Sequence, residues 1–331
     1  MTAYGWQTAR LAPLAGDASA RRYDRLCNPT LGNAVLMDAP VARGEDTQPF
    51  LAIGQWLRAA GLSAPEIYAD DRQTGFVLME DLGDALFARH CIQFPREEPV
   101  LYAAAVDLLV ALHGLAPPEA IATAQGRYRV GRYDMEALQA EAALLTGWYL
   151  PAARSDRVDP SGFRAALAAA LQEVAQSWEV LVLRDYHAEN LLWLPQRAAK
   201  ARVGLLDFQD ALRGHRAYDL VSLLQDARRD IDPALPATLV ARYLAATGLP
   251  APAFHRAFAT LGAQRNLKII GIFSRLCRRD GKSAYLKLIP RVWAHLLEDL
   301  RHPALFALAA WVDRHVPPPT TQVLQRIEMA R

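Results

Sequence analysis

The chain has 331 residues, with 37 Lys+Arg against 35 Asp+Glu and a formal net charge of +2. That balance excludes a nucleic-acid binder driven by a large basic excess. Apolar residues at 52% and charged residues at 22% describe a globular chain able to bury a sizeable core, as one large domain or two modest ones.

No apolar run reaches the ~18 residues of a membrane span. The nearest candidate, Leu101 to Ala116, is broken by Asp107 and His113. The N-terminal MTAYGWQTARLAPLAG has no continuous apolar core, so the expectation is a cytoplasmic protein without a secretory signal. Cys27, Cys91 and Cys277 form no C-x-x-C pair, which argues against a disulfide framework or structural zinc. The only lysines are Lys200, Lys268, Lys282 and Lys287, so the first 199 residues contain none.

In chain order, short strands are expected at Ala9 to Leu14, Arg22 to Cys27 and Asn33 to Met37. A helix follows at Pro49 to Ala60, with Phe50, Ile53, Leu57 and Ala60 on one face and Gly61 closing it. Two further strands, Glu66 to Ala69 and Gly75 to Met79, flank the turn-like DDRQT. This much reads as a small antiparallel sheet plus one helix. From Asp84 onward Ala/Leu-rich helices are expected near 98–114, 134–148, 161–176, 217–230, 234–247, 251–277, 283–299 and 303–315. One β-rich island, roughly 180–208, interrupts them, and Pro317 to Pro319 read as an extended segment before the tail. A small β-rich part with a large helical part is an α+β layout.

The island carries polar residues in a pattern that suits phosphoryl transfer. It reads V-L-R-D-Y-H-A-E-N-L-L-W, then V-G-L-L-D-F-Q-D-A. Asp185 on a short loop can orient and deprotonate an attacking hydroxyl, a catalytic role. Asn190 and Asp207 supply the oxygen ligands that hard Mg²⁺ requires, leaving room for phosphate oxygens and water. Asp210 is a candidate on the substrate side, with a second metal contact or loop ordering as its other readings. His187 is either a substrate contact or a structural histidine.

R-D-x-x-x-x-N, D-F-x-D and then G-x-x-x-Y-D-L, Gly214 to Leu220, resemble the aminoglycoside phosphotransferase/choline kinase branch of the protein-kinase-like fold. The resemblance implies a two-lobe α+β fold: a small β-rich N-lobe, 1–83, ending in a hinge at 79–83, and a large helical C-lobe, 84–331. The C-lobe would carry a catalytic loop at 183–190 and a metal strand at 203–210. ATP and Mg²⁺ are the implied cofactors. Asp219, opening the next helix, would support the catalytic loop by accepting its backbone hydrogen bonds. M-E-D-L-G resembles the hinge, where the backbone of Glu80 and Leu82 would meet adenine. L-A-G-D-A-S-A-R-R-Y, with Ser19 among its small residues, would let backbone N–H groups approach phosphate.

The sequence departs from kinases on the third strand, where N-A-V-L-M-D-A-P puts Met37 roughly where a phosphate-anchoring lysine is ordinary. Arg21 or Arg22, less readily Arg43, must then carry that charge, or the protein is a pseudokinase.

The acceptor is not named by the fold. Arg265, Lys268, Arg275, Arg278 and Arg279 lie on one late helix, the first three close to one face. They read either as a solvated basic face or as a site for an anionic acceptor. Taken with G-D-A-S-A-R-R-Y, V-L-M-D-A-P, M-E-D-L-G-D and Q-R-N-L-K-I-I-G-I-F, the motifs resemble the bacterial N-acetylmuramate/N-acetylglucosamine kinases of cell-wall recycling from about residue 10 to 300. That resemblance implies transfer of the ATP γ-phosphoryl group to the anomeric hydroxyl of a small amino sugar, with Arg265 a bidentate partner for the lactyl carboxylate of N-acetylmuramate. Another hydroxyl acceptor, such as an aminoglycoside, and a nucleotide-binding pseudokinase are the competing readings. No nucleic-acid, membrane or obligate protein partner is expected.

Overall fold

Alternation of apolar and polar residues builds a five-stranded antiparallel sheet from β1 (Arg10–Pro13), β2 (Arg22–Asn28), β3 (Gly32–Asp38), β4 (Ile67–Asp71) and β5 (Phe76–Glu80). Their order is β1-β2-β3-β5-β4. The computed structural model describes residues 5–14, 20–124 and 126–330. Leu26, Ala34 and Leu78 pack with Trp6 on the sheet. Met37 is fully buried, with Tyr23 and Val77 as its strand partners. The place where a lysine is expected is therefore filled by an apolar core side chain. Between β3 and β4 lies α1 (Gln48–Ala59), which buries the expected Phe50, Ile53 and Leu57. Lys200 Nζ donates to the Ala60 carbonyl at 2.7 Å, satisfying an orphan acceptor at the end of α1.

Two compact units result. One comprises Met1–Leu108, Pro118–Val130 and Ala188–Ala211, and the other Leu109–Pro117, Gly131–His187 and Leu212–Arg331. The first also holds α2 (Phe87–Gln93), most of α3 (Glu98–His113) and a hairpin of β6 (Ala120–Thr123) and β7 (Gly126–Arg129). Neither α2 nor the hairpin is expected from the sequence, because both are too short to show periodicity.

The second unit is helical: α4 (Met135–Ala142), α5 (Leu150–Ala153), α6 (Ser161–Leu171), α7 (Ala217–Leu224), α8 (Leu235–Thr247), α9 (Ala251–Asp280), α10 (Ile289–Asp299), α11 (Phe306–His315) and α12 (Thr321–Met329). The helix expected at 134–148 ends early and passes through a π turn at Leu145–Tyr149. A Cβ on Gly271 of α9 would stand 2.3 Å from the Leu144 carbonyl carbon, so only glycine admits this contact. The helix expected to 230 stops at Leu224, because Gln225 leaves helical geometry and Asp226 Oδ1 accepts from Arg228 N at 2.8 Å. The tail, read only as following an extended segment, forms α12, capped by Thr320 Oγ1 accepting from Val323 N at 3.3 Å.

The β island is not one sheet. β8 (Val180–Val182) pairs with β11 (Leu212–Gly214), and β9 (Leu191–Trp193) pairs with β10 (Val203–Leu205). The first pair belongs to the helical unit and the second to the unit of the large sheet.

Candidate active site

Hairpin register assembles the oxygen donors. Leu191 pairs with Leu205, so Asn190 precedes one strand and Asp207 follows the other at the same end. Leu206 N donates to the Asn190 carbonyl at 3.0 Å, and Asn190 Nδ2 approaches Asp207 Oδ2 at 3.4 Å. Gln209 Nε2 donates to Asp207 Oδ1 at 2.6 Å. Asp207 adopts a left-handed backbone, φ 55°, a conformation that marks constrained functional positions. Phe208 stacks on Phe50 of α1 with ring centroids 5.0 Å apart, fixing D-F-Q-D to that helix. An amide oxygen and a carboxylate fit a divalent cation that also binds phosphate oxygens. Asp210 is exposed and raises the Tyr128 hydroxyl pKa, after burial, so it belongs to this unit and not to that of His187 and Arg265.

The cations at the start of β2 separate by strand alternation. Arg21 has 11% side-chain exposure and its Nε donates to Glu45 Oε2 at 2.8 Å. Arg22 is 75% exposed and pairs with Asp38 at 2.7 Å. Tyr23 feels both Arg21 and Asp207. Its hydroxyl pKa is pushed up by burial and by the charges of Asp207 and Glu45, with Arg21 opposing. Ser19 lies outside the described residues, and Arg43 is exposed.

The segment expected to form a hinge is pinned from β2. Arg25 Nε meets Asp81 at 2.6 Å, and its two Nη atoms each reach Asp84 at 2.9 Å. Glu80 N donates to the Glu66 carbonyl at 2.7 Å, while the Glu80 carboxylate pairs with Arg197. A Cβ on Gly204 of β10 would meet Leu192 Cβ at 3.0 Å, Leu194 Cδ1 at 3.1 Å and Leu82 Cδ1 at 3.3 Å, so the strand packs tightly under Leu82.

In the second unit, Asp219 Oδ2 and Oδ1 accept from Leu183 N and Arg184 N at 2.7 and 2.8 Å. Burial pushes the Asp219 carboxyl up to about 7 against those two donors. Arg184 is left-handed, φ 72°, and turns the chain so that Asp185 follows the β8 strand end. Burial alone would raise the Asp185 carboxyl, but Lys268, His187, Arg265 and Arg184 hold it below the usual aspartate range. Asp185 is thus an ionised acceptor at neutral pH.

The late basic helix is not a solvated face. Arg265 is 4% exposed and Lys268 9%. Arg265 donates through Nη2 to Ser222 Oγ at 2.9 Å and through Nη1 to the Gln225 carbonyl at 3.5 Å. Lys268 Nζ meets Glu141 at 3.1 Å, and Arg184 and the Tyr133 hydroxyl reach the same carboxylate. Arg279, by contrast, is exposed and pairs with Asp280 at 2.7 Å. Arg228 Nη1 lies 3.1 Å from His187 Nε2. An arginine only donates, so Nε2 accepts and the neutral ring carries its proton on Nδ1. Burial, ahead of nearby charges, pushes His187 down to about 4, in keeping with that neutral form.

Sequence reasoning missed Tyr23, Arg25, Glu45, Glu141 and Arg228. Tyr23 closes the G-D-A-S-A-R-R-Y segment without a role being assigned to it; the other four are single charged residues outside any motif, and only the fold gives them their partners.

The pattern of the phosphotransferase enzyme family (APH) matches residues 10–258. A relative from Caulobacter vibrioides, named N-acetylmuramate/N-acetylglucosamine kinase, is 39% identical over 357 aligned residues, 96% of this chain and 95% of the relative. One from Pseudomonas aeruginosa with the same name is 34% identical, covering 89% of this chain and 86% of that one. Among solved structures, amicoumacin kinase hAmiN in complex with AMP-PNP, Ca2+ and Ami matches with a TM-score of 0.61 at 14% identity, covering 91% of each chain. At that identity the likeness carries the protein-kinase-like α+β fold alone. The family match spans β1 to β11 and includes Asp185, Asn190, Asp207 and Asp219, and the chain belongs to the phosphotransferase enzyme family.

Proposed function

We propose that this protein transfers the γ-phosphoryl group of ATP to the anomeric C1 hydroxyl of N-acetylmuramic acid or N-acetylglucosamine, in cell-wall recycling. The observation that carries the reading is the near full-length similarity to a relative named for both sugars, joined to an ionised Asp185 on a backbone held by Asp219. Among the described residues no helix is long and apolar enough to cross a membrane, and a cytoplasmic reaction suits a nucleotide donor.

Asp185 orients the C1 hydroxyl and accepts its proton. A carboxylate held in the ionised form is a weak base, which suffices because phosphoryl transfer is loose and the hydroxyl is deprotonated late. The anomeric hydroxyl is more acidic than an ordinary alcohol, which eases the same step. Asn190 and Asp207 would hold Mg²⁺, which when bound neutralises charge on the phosphates. Arg21, oriented by Glu45, supplies the cation that the missing lysine would have given. Glu80 N–H is committed to Glu66, so an adenine contact from Glu80 falls to its carbonyl, beside Leu82 N–H. The lobe division after residue 83 and a substrate-side role of Asp210, as a second metal contact or in loop ordering, belong to the same proposal.

The test is ³¹P NMR of product formed from MgATP with a panel of amino sugars and aminoglycosides. An anomeric sugar phosphate is the expected signal. Phosphorylation of an aminoglycoside alone, or nucleotide binding without turnover, would replace this reading.

A further inference from the structure

Arg265 was the expected partner of the acceptor's carboxylate, but its Nη2 and Nη1 are turned inside the protein to Ser222 Oγ and the Gln225 carbonyl. Lys268 and Arg184 share Glu141, and Arg291 is closed by a two-point pair with Asp230 at 2.6 and 2.8 Å. Arg228 differs from these. It lies four residues past the end of α7, is half-buried, and its guanidinium donates through Nη1 to His187. Among the described residues no carboxylate pairs with its guanidinium. The Nε/Nη2 edge, the fork that matches a carboxylate in two parallel hydrogen bonds, is left over.

The position is apt for an acceptor contact. His187 N donates to the Asp185 carbonyl at 3.1 Å, so the histidine that sets the Arg228 angle is itself fixed to the catalytic loop. A neutral His187 can accept from Arg228, whereas a protonated ring would repel it. The Asp226 carboxylate, the nearest acid in sequence, has Oδ1 turned to the Arg228 backbone N–H at 2.8 Å.

We infer that Arg228, held by His187 as a positioning residue, reads the carboxylate that distinguishes an acidic amino sugar from its neutral counterpart. The inference rests on the sugar-kinase reading above and names the residue that sets its substrate preference. Arg265 instead bonds Ser222 of α7 and helps to hold the Asp185 carboxyl low.

The experiment measures kcat/KM for N-acetylmuramic acid and N-acetylglucosamine with wild type, Arg228→Gln and Arg228→Lys, each checked for folding by calorimetry. Losing a charge-assisted contact of this kind should lower the acidic-over-neutral preference roughly 10–100-fold in Arg228→Gln, through KM and not kcat. Arg228→Lys restores part of the preference, because a point charge replaces the fork. Equal losses with both sugars, or an unaltered ratio, overturn the inference while leaving the sugar kinase intact. A wild type that phosphorylates neither sugar overturns both. If Arg228→Gln does not fold, the lysine variant decides, since a preference equal to that of wild type would show that no planar fork is needed.

Discussion

The two units choose their inward-facing cations by different rules. In the sheet unit, Arg21 just before β2 and Arg22 at its first position are neighbours that point apart, one to Glu45 and the other to solvent beside Asp38. In the helical unit, every residue of α9 from Ala259 to Gly271 is buried. A helix enclosed all round has no solvated side, so its offsets of three and seven do not sort basic residues into exposed and engaged ones. Arg265 and Lys268 turn inward because Ser222, Gln225 and Glu141 receive them. A strand reveals its charge logic locally, while a buried helix does so only through its partners.

That contrast assigns different kinetic signatures to the two units. The largest effect belongs to the helical unit. Asp185→Asn keeps the shape of the loop and removes the proposed proton acceptor, so kcat should fall roughly 10²–10⁴-fold with MgATP affinity nearly intact. A variant with more than a tenth of wild-type turnover would remove Asp185 from the chemistry. In the sheet unit, Asp207→Ala should weaken MgATP binding at least about tenfold by calorimetry, partly recovered at high Mg²⁺. Unchanged affinity in a folded Asp207→Ala protein would mean that D-F-Q-D is not the metal segment.

The arginine pair sharpens the comparison within one unit. Arg21→Ala should raise the KM for ATP roughly 10–100-fold, the scale of a charge-assisted contact in a partly dry cleft. Arg22→Ala loses only an exposed ion pair, worth about 0–1 kcal/mol, and should alter KM less than about twofold. Glu45→Gln should share the direction of Arg21→Ala at smaller size. Equal effects at Arg21 and Arg22 would show that alternation does not orient them.

The sheet, its first helix and most helices of the second unit were legible because strand alternation and Ala/Leu periodicity are strong local signals. So were Asp185, Asn190, Asp207 and Asp219, whose spacing is tied to strand ends. The split of the island into β8–β11 and β9–β10 was not, since three-residue strands pair by tertiary context. The stop of α7 at Leu224 was hidden because Asp226 and the arginines after it pass equally for a helix end. Arg25 clamping Asp81 and Asp84 spans 56 and 59 residues of sequence, beyond any local pattern.

The smallest expected effect concerns acids buried in the helical unit. Asp299 Oδ1 accepts from Gln225 Nε2 at 2.8 Å and Oδ2 from Asn266 Nδ2 at 2.9 Å, yet burial pushes its carboxyl up to about 8. Asp219, up to about 7, adds in the same direction. Both folded values stand above the unfolded value of about 4. Between these values the native protein binds more protons than the unfolded chain, so this contribution is complete below about pH 4 and is lost as pH rises through 7 to 8. Asp185 and Glu141, held low, contribute oppositely and are lost in acid. The melting temperature should therefore decline from pH 6 to pH 9, with Asp299 accounting for about 1 kcal/mol between pH 7 and 9. Asp299→Asn resembles the neutral acid, so it should cost less than about 1 kcal/mol at pH 6 and leave the protein more stable than wild type at pH 9. Calorimetry across that range checks it: parallel curves for variant and wild type would mean that Asp299 is already ionised in the native protein.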